Sequence, residues 1–113
     1  MPLADTYRVR VTAYAKEQLN AISDYIIDEY KSPATAKNIS KRLRSAIKSL
    51  SFMPSRIGFV DEEPWGSYGI HKMVEGNYLI YFWIEEDSHM VIVTGIVNGR
   101  MEQSYQLERM DLF

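Results

Sequence analysis

The chain has 113 residues, which suit a single domain (residues 1–113) with one hydrophobic core. It has no cysteine and only two histidines, which excludes disulfides and spaced metal-ligand clusters, so we expect a cytoplasmic protein without a cofactor. A net charge of −2 argues against a protein that coats nucleic acid, and no stretch is apolar enough for a membrane span or a signal peptide.

The first half of the chain predicts a strand followed by two amphipathic helices. Residues 6–12 alternate between apolar and polar side chains, which indicates a half-buried strand. Residues 13–30 then carry apolar residues at spacings of three and four, which is typical of one face of a helix. Ser32 is a suitable N-cap and Pro33 a suitable first residue for a second helix, which we expect to reach about Phe52. The short connection predicts an antiparallel helical hairpin.

The second half of the chain predicts a long loop and then a three-stranded meander. Residues 54–68 contain no clear element, and a connection of that length in a small domain tends to be functional or mobile. Strand candidates follow at 68–74, 77–86 and 90–99, separated by turn residues, and the last two are apolar on both faces, as central strands are. The tail, residues 100–113, is compatible with a short helix. The expected fold class is α+β, with two layers in the order β-α-α-β-β-β and the helical hairpin on a mainly antiparallel four-stranded sheet.

Positive charge is concentrated in residues 31–56, which contain seven Lys or Arg and no Asp or Glu. Such a block is most often a solvated helix face, and the alternative is a docking surface for an acidic partner or for RNA. The seven residues are Lys31, Lys37, Lys41, Arg42, Arg44, Lys48 and Arg56.

Among catalytic functions, a metal-independent ribonuclease is the remaining possibility, because the chain has neither a nucleophile elbow nor a Gly-rich phosphate loop. RNA cleavage by its own 2′-hydroxyl needs a general base, a general acid and cations for the phosphorane. A structural role is the alternative for these candidates. The histidine would be half-exposed on an edge strand, the lysine would be a surface charge that prevents pairing with another strand, and the tyrosine would anchor the tail. The candidates are His71, Lys72, Arg56, Arg100 and Tyr105.

The order of the elements and several phrases resemble the RelE/ParE superfamily of bacterial type II toxins, each of which is neutralised by a cognate antitoxin. The phrases that carry the resemblance are YRVRVT, AISDYI, SPATA, SLSFMPSR, EPWGSYGIHKMVEGNYLIYFWIEE and NGR, within residues 6–107. The resemblance implies a small cytoplasmic toxin and an antitoxin that wraps around it with amphipathic segments.

Two mechanisms occur in this superfamily. RelE-like members cut messenger RNA in the ribosomal A site with basic side chains on the concave face of the sheet, whereas ParE-like members lack most of those groups and poison DNA gyrase. The phrase GNYLIY places Tyr78 where the nucleases carry an arginine. Gly69 and His71 stand at the positions of two lysines on the strands of the nucleases. Arg100 matches the arginine that follows the last strand in the nucleases, and Tyr105 lies near the position of their tyrosine. The resemblance favours gyrase inhibition, with a ribosome-dependent endoribonuclease and a non-toxic antitoxin-binding module as alternatives.

Exposed apolar side chains would give an antitoxin a surface to cover. The alternative is that the tail packs back onto the sheet. The basic block at residues 31–56 would suit an acidic antitoxin or the target. The candidate partner-binding residues are Trp65, Phe59, Met110, Leu112 and Phe113.

Overall fold

The predicted order of elements is confirmed by the computed structural model, which describes residues 6–100, 103–110 and 112. The fold is α+β, with two long helices packed on an open four-stranded sheet. A 3₁₀ turn, Pro54–Arg56, follows the second helix. The elements are β1 (Arg8–Val11), α1 (Ala13–Tyr30), α2 (Pro33–Ser49), β2 (His71–Glu75), β3 (Tyr78–Glu85), β4 (Met90–Asn98) and α3 (Gln103–Arg109).

Both long helices begin at a capping residue. The Thr12 hydroxyl accepts a hydrogen bond from the backbone N–H three residues later, and Ser32 does the same for α2, with Pro33 in the first helical position as predicted. Helix α1 ends at Tyr30, and its C-cap, Lys31, has a φ of 50°, in the left-handed region. Helix α2 ends at Ser49, earlier than predicted.

The sheet has the strand order β1-β4-β3-β2, so the prediction that the last two strands are central is confirmed. Strand β1 runs parallel to β4, and the other two pairings are antiparallel. The register places His71 opposite Phe82 and Phe82 opposite Val93, while Tyr78 lies opposite Asn98 at the other end of the sheet. A register shift between Tyr81 and Phe82 marks a β-bulge against β4.

Each face of the sheet carries its own hydrophobic core, because β3 and β4 present apolar side chains on both sides. The helical hairpin covers one face, where Leu43 and Ile47 of α2 pack with Phe82 and Val93. The other face is covered by α3 and by the connection between α2 and β2. Their buried residues pack with strand residues in one cluster: Val60, Ile70, Leu79, Tyr81, Val97, Leu107 and Met110.

The connection that the sequence predicts to be functional or mobile is therefore part of the packing. Val60 N–H donates to the Ile70 carbonyl, and Lys72 N–H donates to the Gly58 carbonyl, so residues 58–60 lie along the outer edge of β2. This coverage of the edge reduces the backbone exposure that an edge strand would otherwise have. None of the described helices combines the length and the hydropathy needed to cross a membrane.

Candidate functional site

His71 is buried, with 6% of its surface exposed, and not half-exposed as the sequence predicts. Its ring lies between Phe59 and Phe82, at centroid distances of 4.3 and 4.8 Å. Nδ1 lies 2.8 Å from the carbonyl oxygen of Ile57, and because a carbonyl only accepts, the proton is on Nδ1. The coverage of β2 by residues 58–60 is the physical reason for this burial.

Arg56 is bound to the end of α2. One guanidinium nitrogen donates to the carbonyl oxygens of Phe52 (2.5 Å) and Met53 (3.1 Å), and the other donates to the hydroxyl of Ser49 (3.1 Å). A cation at this position also interacts favourably with the negative end of the helix dipole. The side chain therefore stabilises the exit from α2 and orders Met53, whose φ of 46° is in the left-handed region.

Arg100 is exposed and lies at the opposite end of the sheet. Its backbone N–H donates to the side-chain oxygen of Asn98 (2.9 Å), which fixes the turn after β4. The residue borders a cleft of about 490 Å³ between α1 and the ends of β3 and β4. That volume is within the range of small-ligand pockets. The cleft is lined by Gln18, Ala21, Ile22, Tyr25, Tyr78, Ile96, Val97, Asn98, Arg100 and Gln106.

Tyr105 is half-exposed on α3, where its hydroxyl accepts a hydrogen bond from Arg109 at 2.9 Å. The guanidinium also lies over the tyrosine ring, 5.2 Å from its centroid. The pKa of Arg109 is raised above its ordinary value, first by the phenol of Tyr105 and then by a hydrogen bond with Tyr14. Arg109 is therefore a permanent cation beside Tyr105, a partner that the sequence analysis did not consider.

Three of the nuclease candidates, Arg56, His71 and Arg100, lie at two separate places in the fold and do not share a site. His71 lies in the row of the sheet that contains Phe82 and Val93, and Arg56 precedes Ile57, whose carbonyl oxygen binds the His71 ring. Asn98 lies five residues beyond Val93 on β4, roughly 16 Å along the strand, and Arg100 follows Asn98. Proton transfer needs heavy atoms within hydrogen-bond reach of the substrate, so a base from one place and a cation from the other could not act on one phosphate.

The apolar partner-binding candidates are divided between surface and core. Phe59 is 60% exposed, while Trp65 is partly buried and packs on the second core. Met110 is buried, and the Trp83 indole N–H donates to the carbonyl oxygen of Leu112 (2.8 Å), so this part of the tail packs back on the sheet. The fifth candidate, Phe113, lies outside the described residues.

The basic block forms one side of a groove between α1 and α2, which we call the basic groove, with a volume of about 660 Å³. Within the described part of the chain, no carboxylate lines it. Among the described residues the one salt bridge involves Arg42, which contacts Glu75 (3.1 Å) on another side of α2 and does not line this groove. The basic groove is lined by Ser23, Ile27, Pro33, Ala36, Lys37, Ser40, Lys41, Arg44, Ser45 and Lys48.

Gln18 is a residue whose role the sequence analysis missed. Its side-chain oxygen accepts a hydrogen bond from Ile96 N–H (2.8 Å), on the stretch of β4 that extends beyond the pairing with β1. Two features of the sequence indicate this region. Gln18 is a polar residue on the side of α1 that faces the sheet, and Gly95 interrupts an apolar strand, which often marks a bulge. Within residues 6–100, 103–110 and 112, no three His, Cys, Asp or Glu side chains are placed to hold a metal ion.

Comparison with known proteins agrees with this architecture. Residues 9–103 match the family described as the ParE toxin of the type II toxin-antitoxin system, parDE. No curated protein matches the sequence.

Solved structures with a similar fold include the following three, at 14–19% sequence identity. A chain of the chromosomal ParDE toxin-antitoxin system from P. aeruginosa has a TM-score of 0.70 and 16% identity, covering 83% of this chain and 97% of its own. A chain of the RelBE2 toxin-antitoxin complex from Mycobacterium tuberculosis has a TM-score of 0.58 and 19% identity, and the match covers 82% of this chain and 91% of that one. An E. coli RelE mutant in the free state has a TM-score of 0.59 and 14% identity, and the match covers 92% of this chain and 97% of that one.

Proposed function

We propose, from the premise that this chain belongs to the ParE toxin family of type II toxin-antitoxin systems, that it stops growth by binding and inhibiting DNA gyrase. A cognate antitoxin would neutralise it, and both proteins would meet in the cytoplasm. The toxin would act by occupying a surface of gyrase, without a chemical step of its own.

The observation that carries the proposal is the separation of the side chains that a ribonuclease would need together. His71 is stacked between two phenyl rings, and Arg56 is bound to the end of α2. Tyr78 stands where the resemblance places the arginine of the nucleases. A single preorganised group of this kind is commonly worth about 10²–10³ in rate, so its replacement argues against cleavage.

The antitoxin contact belongs to the same proposal. Phe59 offers an exposed ring on a segment that is hydrogen-bonded to β2, and such ordered aromatic side chains are frequent anchors of protein interfaces. Trp65, Met110 and Leu112 would contribute only if the antitoxin took over their present contacts with the sheet.

Two assays on the purified toxin test the mechanism directly. We expect inhibition of gyrase supercoiling that is relieved when the antitoxin is added, and no new 3′ ends in messenger RNA on translating ribosomes. The variant Arg100→Ala is the useful probe, because Arg100 is exposed and makes its hydrogen bond through the backbone, so the fold survives the change.

A ribosome-dependent endoribonuclease is the second candidate, favoured by the exposed Arg100 beside a cleft that also contains Tyr78 and three amide side chains. New 3′ ends that disappear with Arg100→Ala would establish it and reject gyrase as the target. Normal growth after expression without antitoxin would reject both mechanisms in favour of a non-toxic antitoxin-binding module.

A further inference from the structure

Gln106 of α3 is a buried polar residue in the wall of the cleft that Arg100 borders, which we call the Arg100 cleft. Its surface is 8% exposed, and no described residue forms a hydrogen bond with its side-chain amide. Buried amides in folded proteins normally have a hydrogen-bond partner, because a buried polar group without one is destabilising. The buried amide therefore indicates a polar group that enters the cleft from outside the chain.

Two other amides line the Arg100 cleft, and within the described structure each uses only its oxygen. Oε1 of Gln18 accepts a hydrogen bond from Ile96 N–H (2.8 Å), and Oδ1 of Asn98 accepts one from Arg100 N–H (2.9 Å). Because a backbone N–H only donates, these two bonds fix which side-chain atom is the oxygen, and each NH₂ group remains available as a donor. The cleft therefore favours a ligand with hydrogen-bond acceptors.

The remaining residues that line the Arg100 cleft are apolar or aromatic. Ile96 and Val97 of β4 are 1% and 5% exposed, and Ile22 of α1 packs beside the first core. Tyr25 lies on the same face of α1 and is 59% exposed, so its ring is accessible to a ligand in the cleft. Aromatic rings prefer offset-stacked or edge-to-face contacts with other rings, so this lining suits a flat aromatic molecule.

Arg100 supplies the one cation in the described lining of this cleft, and no described Asp or Glu lines it. Its guanidinium forms no salt bridge with the described residues, and its hydrogen bond to Asn98 uses the backbone N–H. A guanidinium binds a carboxylate through two parallel hydrogen bonds. One cation balances one negative charge, so a single carboxylate fits this cleft better than the multiply charged phosphates of a nucleotide.

We propose that the Arg100 cleft binds a small aromatic carboxylate. The aromatic ring would lie on Ile96 and Val97 beside Tyr25, the carboxylate would bind the Arg100 guanidinium, and a further acceptor would receive hydrogen bonds from the amides. The volume of about 490 Å³ is enough for such a molecule. The inference goes beyond the inhibition of gyrase and does not depend on it, because it concerns ligand occupancy of the cleft alone.

The test uses the full chain and three probes in isothermal titration calorimetry. The probes are a hydroxynaphthoate with its hydroxyl and carboxylate at opposite ends of the ring system, the uncharged hydroxynaphthamide of the same shape, and adenosine monophosphate. The wild type is compared with Arg100→Gln and with the matched control Arg44→Gln, which removes an exposed cation of α2. Two further variants address the lining, and urea denaturation shows that each variant folds. Gln106→Leu removes the buried amide at similar volume, and Ala21→Trp fills the cleft from an exposed position of α1.

We expect the hydroxynaphthoate to bind the wild type and Arg44→Gln equally, and Arg100→Gln about tenfold more weakly, because the charge-assisted hydrogen bonds are lost. The hydroxynaphthamide should bind the wild type about tenfold more weakly than the hydroxynaphthoate for the same reason. Gln106→Leu should weaken the binding of the hydroxynaphthoate about threefold without lowering the stability in urea, because it removes a buried amide that has no partner in the free chain. Ala21→Trp should bind neither naphthalene probe.

Amide NMR spectra locate the bound probe. The side-chain NH₂ signals of Gln18, Asn98 and Gln106 should shift when the hydroxynaphthoate is added. Equal affinity of the two naphthalene probes for the wild type, or an Arg100→Gln variant that binds the hydroxynaphthoate as tightly as the wild type, would overturn the proposal. Absence of binding would mean that water alone serves the amides, and would overturn it as well. Tighter binding of adenosine monophosphate would reject the carboxylate and assign the cleft to nucleotides.

Discussion

Substituting His71 by phenylalanine and, in parallel, by alanine tests whether its ring is a structural element or a catalytic group. The histidine is almost fully buried, with aromatic rings on both sides and one hydrogen bond to the Ile57 carbonyl. Phenylalanine keeps the stack and loses only the hydrogen bond, which costs about 1 kcal/mol. Alanine also leaves a cavity between Phe59 and Phe82, and the truncation of a buried ring costs about 3 kcal/mol.

The free energy of unfolding is measured by urea denaturation, and the melting temperature by circular dichroism. For a domain of this size about 1 kcal/mol corresponds to roughly 4 °C, so we expect decreases of about 4 °C for His71→Phe and about 12 °C for His71→Ala. Toxicity per folded molecule should be unchanged in His71→Phe. The structural interpretation is refuted if both variants are as stable as the wild type, or if His71→Phe folds normally and is no longer toxic.

Three further predictions concern the backbone and its caps, each read by urea denaturation. Gln18→Leu removes the acceptor of Ile96 N–H and should cost about 1–2 kcal/mol, whereas Gln18→Glu keeps an acceptor and should cost less; equal losses would contradict the contact. Gly95→Ala places a Cβ 2.8 Å from the sulfur of Met110 and should cost about 1–3 kcal/mol, whereas Gly58→Ala meets nothing within 4 Å and should be tolerated. Lys31→Gly should stabilise the protein by about 0.5–1 kcal/mol because φ at this position is 50°, and the control Lys31→Ala should bring no such gain.

The elements that the sequence predicts well are those governed by local patterns. Alternation predicts β1, and the spacing of apolar residues together with Ser32 and Pro33 predicts the helical hairpin. The two strands that are apolar on both faces were correctly predicted to be central, since only a sheet covered on both sides needs such a pattern.

What the sequence could not predict depends on contacts between distant segments. The burial of His71 requires residues 58–60 to lie along β2, and no local pattern in the loop predicts that pairing. The role of Arg56 depends on where α2 ends, which sequence reasoning placed too late. The distance between His71 and Arg100 follows from the register of β3 against β4, including the bulge at Tyr81, which shifts the pairing by one residue.

The pairing of the first strand with the last one has a consequence for synthesis on the ribosome. Arg8 pairs with Met90 and Val11 with Val93, so β1 cannot pair with β4 until residue 93 has been translated. Before that point the helical hairpin has only its local contacts, and the sheet that supports both cores is incomplete. A chain that stops before β4 therefore lacks a central strand of the sheet, and we expect it to be harmless.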